Sequence, residues 1–255
     1  FNYAELLRYS SNPAMPMEDI THEVNLNYKH IENDCPEFDR EPLIPNIISS
    51  EGPELAVADI NHDGLDDVFI GEAKRKKPAV FIQTLAGKFQ QITEPALDKD
   101  STYEDVDACW ADVNNDNNPD LIIASGGNEY YGKDSNLLPR VYLNDGDGNL
   151  IRKADAFSHF YSTNSCIVPY DFNHYGNVDL FVGGRTVPFH YGDTPQSYLL
   201  MNDGTGKFKD VTNQYAKGLS DVGMVTNAVW FDIDKDGDKD LILSLEWGGI
   251  VAFIN

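Results

Sequence analysis

Four stretches of this chain spell one phrase, and the interval between them decides which folds it can adopt. The phrase is LAVADINHDGLDDVFIG at 55–71, ACWADVNNDNNPDLIIASGG at 108–127, IVPYDFNHYGNVDLFVGG at 167–184 and AVWFDIDKDGDKDLILSLEWGG at 228–249. The leading aspartates, Asp59, Asp112, Asp171 and Asp232, follow one another at 53, 59 and 61 residues. A repeat of this length is far too long for the rung of a β-helix and a little longer than the usual blade of a propeller.

Every copy has the same internal order. A short apolar run precedes the Asp-rich loop and a β-rich run follows it: DVFI, DLII, DLFV, DLIL. A further strand-like run comes next, and it ends on an Asn-Asp-Gly turn in VYLNDGDGNLI and YLLMNDGTGKFKDVT. Asn and Gly accept positive φ at little cost, so such a turn between apolar runs predicts a hairpin. Each unit therefore reads as a four-stranded antiparallel meander, and no helix of ordinary length is expected. The predicted fold is all-β, a β-propeller of four-stranded antiparallel blades with four repeats visible; separate sandwiches are disfavoured by the short linkers. The blades are expected at about 51–100, 101–160, 161–220 and 221–255, after an N-terminal extension, 1–50, that includes a closing strand near 17–21. That strand, MEDIT, is like the closing strand in KFKDVT (207–212), and GIVAFIN (249–255) stops where a fourth strand should follow. Four blades rarely make a full ring, so both ends are expected to continue into a longer, multidomain chain; the alternative is that the N-terminal strand completes the last blade by strand exchange.

The loops follow D-x-[DN]-x-D-G-x-x-D. Alternate residues of a tight loop point their oxygens inward, and Ca²⁺ takes six to eight hard oxygen ligands in a flexible shell. Side chains at positions 1, 3, 5 and 9 and the carbonyl at position 7 would supply them. These are Asp59, Asn61, Asp63, Leu65 and Asp67 in the first loop, Asp112, Asn114, Asp116, Asn118 and Asp120 in the second, and Asp232, Asp234, Asp236, Asp238 and Asp240 in the fourth. The third has Asp171, Asn173, Asn177 and Asp179, but Tyr175 replaces the acid at position 5. Three Ca²⁺ sites are expected, with a fourth, at the Asp171 loop, one ligand short. An EF-hand would need Glu at position 12, where this chain has Ile70, Ile123, Val182 and Leu243. Plain Asp/Asn turns without metal are the simpler alternative. His62 and His174 fall at position 4 and are expected to point outward.

These residues resemble FG-GAP/VCBS repeats. The stretch REPLIPNIISSEGPELAVADINHDGLDDVFIGEAK (40–74), with SGGNEY (125–130) and VGGRTVP (182–188), is similar to bacterial proteins of that class carrying an ASPIC/UnbV domain. The resemblance implies a propeller, commonly seven-bladed, on an extracytoplasmic protein (secreted, cell-surface or periplasmic). It implies no established activity; adhesion is the natural analogy, since integrin α-subunit heads share the repeat.

In such a meander the loops joining second to third strands emerge opposite the Asp loops. They carry Tyr130, Tyr131, Arg185, Phe189, His190, Tyr191 and Trp247, a candidate ligand face for a protein or glycan partner, unless these side chains pack between blades. The net charge is −23, from 19 Lys and Arg against 42 Asp and Glu, which argues against nucleic acid and anionic membrane surfaces. No apolar run is long enough for a membrane span. Cys35, Cys109 and Cys166 form no CxxC; Cys109 and Cys166 read as buried thiols, with a bridge between them left open. No GxSxG, HExxH, P-loop or GxGxxG is present, so no catalytic residue is assigned. The expected function is a calcium-stabilised protein- or glycan-binding or scaffold module on the bacterial cell surface. The alternatives are a polysaccharide-active lyase or hydrolase and a purely structural domain of a larger protein.

Overall fold

The apolar runs around each Asp loop form the first two strands of a sheet, and the loop joins them. The fold is given by a computed structural model, which describes residues 17–255. The first sheet contains β1 (Leu55–Ala58), β2 (Asp67–Ile70), β3 (Ala79–Gln83) and β4 (Phe89–Ile92). The second contains β5 (Asp105–Ala111), β6 (Asp120–Ser125), β7 (Arg140–Asn144) and β8 (Leu150–Arg152). The third contains β9 (Thr163–Tyr170), β10 (Asp179–Thr186), β11 (Tyr198–Asn202) and β12 (Phe208–Asp210). The fourth has three strands, β13 (Val225–Phe231), β14 (Asp240–Leu245) and β15 (Ile250–Phe253). Each strand pairs antiparallel with its neighbour in sequence, in registers such as Ala58↔Asp67 and Phe231↔Asp240 that place every Asp loop at a strand end. Among the described residues the α-helices are short: α1 (Glu37–Arg40), α2 (Pro95–Lys99) and α3 (Thr212–Tyr215).

Strand periodicity sends alternate residues to opposite faces of each sheet, and both faces are apolar here. One face of each sheet packs on the opposite face of the next, with the first strands β1, β5, β9 and β13 side by side. Ala56, Phe69 and Val80 of the first sheet meet Leu121, Ile123 and Tyr142 of the second. Ile122 and Val141, on the second sheet's other face, meet Ile167, Leu180 and Leu200 of the third. Phe181 and Leu199 then meet Ala228, Leu241 and Leu243 of the fourth. The core is thus three layers between four sheets. Glycine lets neighbouring sheets approach at Gly71, just after β2, and at Gly183, within β10: a Cβ on Gly71 would lie 2.8 Å from the Asp105 Cβ, and one on Gly183 would lie 2.8 Å from Val225 Cγ1.

The N-terminal region differs from the expectation. Residues 1–16 of the expected extension lie outside the described residues. Residues 17–21 are not a strand. Asp19 Oδ1 accepts the Thr21 N–H at 3.0 Å and the Val24 N–H bonds to Ile20 O, which turns the chain at Thr21–Asn25. The segment docks on the first sheet instead of the last: Phe89 N–H donates to Val24 O, and Leu26 and Tyr28 pack on Ile70, Ala79 and Phe81. Residues 37–51 then cross the loops that follow the second strands. The buried Glu37 carboxylate accepts the N–H groups of Ile48 and Ser49 at 2.7 and 2.9 Å, closing this stretch on itself.

Candidate metal-binding loops and the opposite face

All four Asp loops take one course. The position-1 carboxylate turns back on its own loop, accepting N–H groups from position 5 or 4 and from position 6. Asp59 receives Asp63 and Gly64, Asp112 receives Asp116 and Asn117, Asp171 receives Tyr175 and Gly176, and Asp232 receives Lys235 and Gly237, at 2.6–3.2 Å. Such a turn needs left-handed backbone at positions 4 and 6. His62, Asn115, His174 and Lys235 supply the first, at φ of 56–67°. Gly64, Gly176 and Gly237 supply the second, and Asn117, at φ 68°, does so where the second loop lacks glycine.

In the fourth loop, one oxygen each from Asp232, Asp234 and Asp240 lies within 4.8 Å of the others. Oxygens around one Ca²⁺ lie within about 5 Å of one another, so this cluster fits such an ion. Asp236 is not part of it; its Oδ1 accepts the Asp238 N–H at 2.9 Å. In the second loop the Asn114 amide donates to Asp116 Oδ2 at 2.8 Å, and in the third the Asn173 amide donates to Asp179 Oδ2 at 2.6 Å. These bonds bring the paired ligand candidates together. Leu65 and Asn177, expected to act through carbonyls, sit at position 7 of their loops.

The position-9 aspartates have a second role that the motif did not disclose. Asp67, Asp120, Asp179 and Asp240 are buried at the start of each second strand. One oxygen of Asp67 accepts the Ile60 N–H within the loop, and the other accepts the Gln83 N–H at the end of the third strand. Asp120 does the same with Val113 and Asn144, and Asp240 with Ile233 and Asn255. Burial pushes Asp120 up to about 6, and the charges of Asp116 and Asp112 add to this against the pull of two N–H donors. Burial likewise pushes Asp179 up to about 6.

The loops are also joined to one another. His62 Nε2 lies 2.9 Å from Asn118 Oδ1, Asn115 Nδ2 donates to Asn177 Oδ1 at 2.9 Å, and His174 Nε2 lies 3.0 Å from Asp238 Oδ1. Position 4 of each loop thus reaches position 7 of the next, and the two histidines make these contacts at the exposed surface. Below them, the Asn of each Asn-Asp-Gly turn crosses to the preceding sheet. Asn144 Nδ2 donates to Ile60 O at 2.8 Å and Asn202 Nδ2 to Val113 O at 2.8 Å. Asn255 makes the same bond to Phe172 O at 2.9 Å.

The opposite face is largely satisfied from within the chain. Arg185 is 5% exposed and lies between the carboxylates of Glu51 and Glu246. Tyr191 donates its hydroxyl to Glu246, and its N–H goes to Glu41 Oε1 at 3.1 Å. Phe189 lies under the Arg40 guanidinium, 4.0 Å from its ring centre, and 5.1 Å from the Tyr131 ring. Tyr130 donates to Thr102 O, with Lys74 Nζ 4.1 Å above its ring. Trp247 packs edge-on against Tyr191. His190 is exposed, as are Tyr131 at 68% and Trp247 at 72%. Residues 37–51 therefore occupy much of the expected ligand face, and their Glu37, Glu41 and Glu51 carry no periodic signal that could have announced it. The three thiols, Cys35, Cys109 and Cys166, are free. No helix among the described residues is long and apolar enough to cross a membrane.

No curated protein sequence matches this chain. Among solved structures, it is similar to the V. cholerae biofilm matrix protein Bap1, with 15% sequence identity and a TM-score of 0.37. The match covers 80% of this chain and 30% of that one, so this chain corresponds to less than a third of Bap1. The FG-GAP-like repeat model matches three times, at 59–123, 112–182 and 171–243, each match running from one Asp loop into the second strand of the next repeat. With those loops, strands and sheet contacts in place, the chain belongs to the FG-GAP-like repeat family.

Proposed function

We propose that this chain is a calcium-stabilised binding or scaffold module that works outside the cytoplasm, its four sheets being blades of a β-propeller. The observation that carries the reading is the common course of the four Asp loops, with three carboxylates converging in the last. Side-by-side first strands and sheets stacked face to face support the blade arrangement. The holding groups would be Asp59, Asn61, Asp63, the Leu65 carbonyl and Asp67, and their counterparts in the other loops. Ca²⁺ would supply the positive charge that offsets the repulsion between these carboxylates. The chain's own part is to present the oxygens. The position-9 aspartate passes the resulting order to the third strand through the N–H it accepts there. The extracellular setting, the bacterial cell surface and the similarity to the ASPIC/UnbV-carrying group rest on the repeat type. A protein or glycan partner would meet the rim left by residues 37–51, where Tyr131 and Trp247 are exposed.

Thermal unfolding with excess Ca²⁺, with EDTA and with Mg²⁺ tests the metal. Binding to the native state at a hundredfold excess over Kd adds about 2.7 kcal/mol per site, which amounts to several degrees in Tm for a chain of this size. A rise with Ca²⁺ and not with Mg²⁺ is expected. Equal melting in all three would refute the calcium reading.

A further inference from the structure

Where the chain passes from one sheet to the next it lies beside the outer strands of the sheet it enters, and a hollow forms between them. Between the first and second sheets this hollow is lined by parts of 93–100 and 149–152, and its acids are paired within the chain. Asp100 Oδ2 accepts the Tyr142 hydroxyl at 2.6 Å and lies 3.2 Å from Arg152 Nη1, and Glu94 Oε2 accepts the Leu150 N–H at 3.2 Å.

The equivalent hollow between the second and third sheets is larger, about 640 Å³, and lies between residues 158–160 and strands β11 and β12. Both of its walls are internal to the stack. Its inner wall is a set of packed rings: Phe157 stacks on Phe208 with centres 5.1 Å apart, and Phe160 meets Tyr198 at 5.5 Å. Tyr198 holds the station that Arg140 holds in the second sheet, four residues before the hairpin asparagine. Arg140 is paired with Asp105. Tyr198 is only 5% exposed, yet its hydroxyl has no hydrogen-bond partner among the described residues and meets the hollow. A buried tyrosine hydroxyl ordinarily finds a partner. Around the mouth, the exposed side chains of His159, Gln196 and Lys209 are likewise without partners among the described residues. Asp203 Oδ1 accepts the Thr205 N–H at 2.9 Å and Asp210 Oδ1 the Thr212 N–H at 2.9 Å, which leaves the Oδ2 of each acid for a ligand.

The charges of this lining cancel. Lys207 and Lys209 stand with Asp203 and Asp210, in a chain whose net charge is −23. A balanced lining favours neither an anion nor a cation. It does suit a neutral molecule whose hydroxyls each donate and accept, since ammonium and phenol donate and the carboxylates accept. The volume falls within the range of small-ligand pockets, about 300–1,000 Å³. We infer that the hollow between the second and third sheets binds a neutral sugar, a mono- or disaccharide unit, whose hydroxyls bond to Tyr198, Lys209 and the free oxygens of Asp203 and Asp210. This site uses neither the Asp loops nor the rim at Tyr131 and Trp247, so it stands or falls separately from the function proposed above.

The test is an NMR titration of the whole chain, in saturating Ca²⁺, with maltose, cellobiose, lactose and chitobiose. At least one should bind with a Kd of about 1 mM, the strength that a few hydrogen bonds supply. Tyr198→Phe keeps the ring, removes one hydroxyl and should weaken that binding about tenfold. Lys209→Met, at an exposed position where the fold is not at stake, should weaken it severalfold. Trp247→Ala, on the opposite face, should leave it unchanged. Digalacturonate, a disaccharide with two carboxylates, should bind no tighter than the neutral sugars. Failure of all four neutral sugars to bind would overturn the inference, as would tighter binding of digalacturonate. So would wild-type affinity in both Tyr198→Phe and Lys209→Met, and a loss confined to Trp247→Ala would move the sugar to the opposite face.

Discussion

Replacing Asn202 by Asp changes one heavy atom, nitrogen to oxygen, and separates two jobs that one side chain performs. Its Oδ1 accepts the N–H groups of Gly204 and Gly206 at 3.0 and 3.2 Å, which shapes the Asn-Asp-Gly turn. Its Nδ2 donates to Val113 O at 2.8 Å and Val178 O at 3.0 Å, and the first of these joins the third sheet to the second. Aspartate keeps the acceptor and loses the donor. Val113 is fully buried and Asn202 is 4% exposed, so water does not replace the lost bond. Leaving one buried carbonyl unpaired costs about 1–3 kcal/mol. Burying a carboxylate beside two carbonyl oxygens adds to that cost. A loss of about 3 kcal/mol is expected, a fall of about 10 °C in Tm for a chain of this length. Differential scanning calorimetry in saturating Ca²⁺ would read it, with Asn213→Asp, on an exposed position of α3, as a control expected to change little. If Asn202→Asp melts within about 1 kcal/mol of wild type, the residue serves the turn alone and the cross-sheet reasoning is wrong.

Two further outcomes follow from the buried and loop carboxylates. Glu104 is 2% exposed, takes one backbone N–H from Lys74, and burial pushes it up to about 8. Its folded value lies above its unfolded one, so the native state holds an extra proton and stability falls as pH rises from about 4.5 to about 8. Glu104→Gln should remove that fall: urea midpoints of wild type and variant should coincide at about pH 5 and diverge by a few kcal/mol at about pH 9, the variant being the more stable. Asp236→Ala should weaken Ca²⁺ binding, followed by calorimetric titration, more than Asn173→Ala does, because the fourth loop offers four acidic side-chain ligands, Asp232, Asp234, Asp236 and Asp240, and the third has lost Asp at position 5 to Tyr175. Equal losses would count against ranking the loops by charge.

The parts of the fold that could be read in advance are those where local chemistry and global placement coincide. Asp59, Gly64 and Asp67 announce a loop between strands because the turn needs both a short acceptor and a left-handed residue, and the runs after such loops are continuously apolar, as strands buried on both faces require. The first two strands of every sheet and the hairpin at 202–206 were legible for this reason. MEDIT misled because its likeness to KFKDVT is one of composition, whereas Asp19 turns the chain before a strand can form. The cover over the opposite face was invisible for a different reason. Its anchors, Glu37, Glu41 and Glu51, each act across long stretches of chain with no periodicity, so an exposed-looking Arg185 gave no hint of the two carboxylates beside it. The double duty of Asp67 and Asn144 was hidden by its very regularity: a residue already explained by a loop or a turn invites no second reading.

The bonds that run from position 4 of one Asp loop to position 7 of the next have a meaning for descent as well as for stability. The three junctions use three different pairs, His62 with Asn118, Asn115 with Asn177, and His174 with Asp238. A repeat copied or moved elsewhere in the chain would bring its position-4 side chain to a neighbour chosen for another. Among related sequences, position 4 should therefore vary in step with position 7 of the following repeat rather than with any residue of its own. The order of the repeats is in this sense written into the repeats themselves, and a repeat is harder to duplicate or exchange once the pairs have diverged.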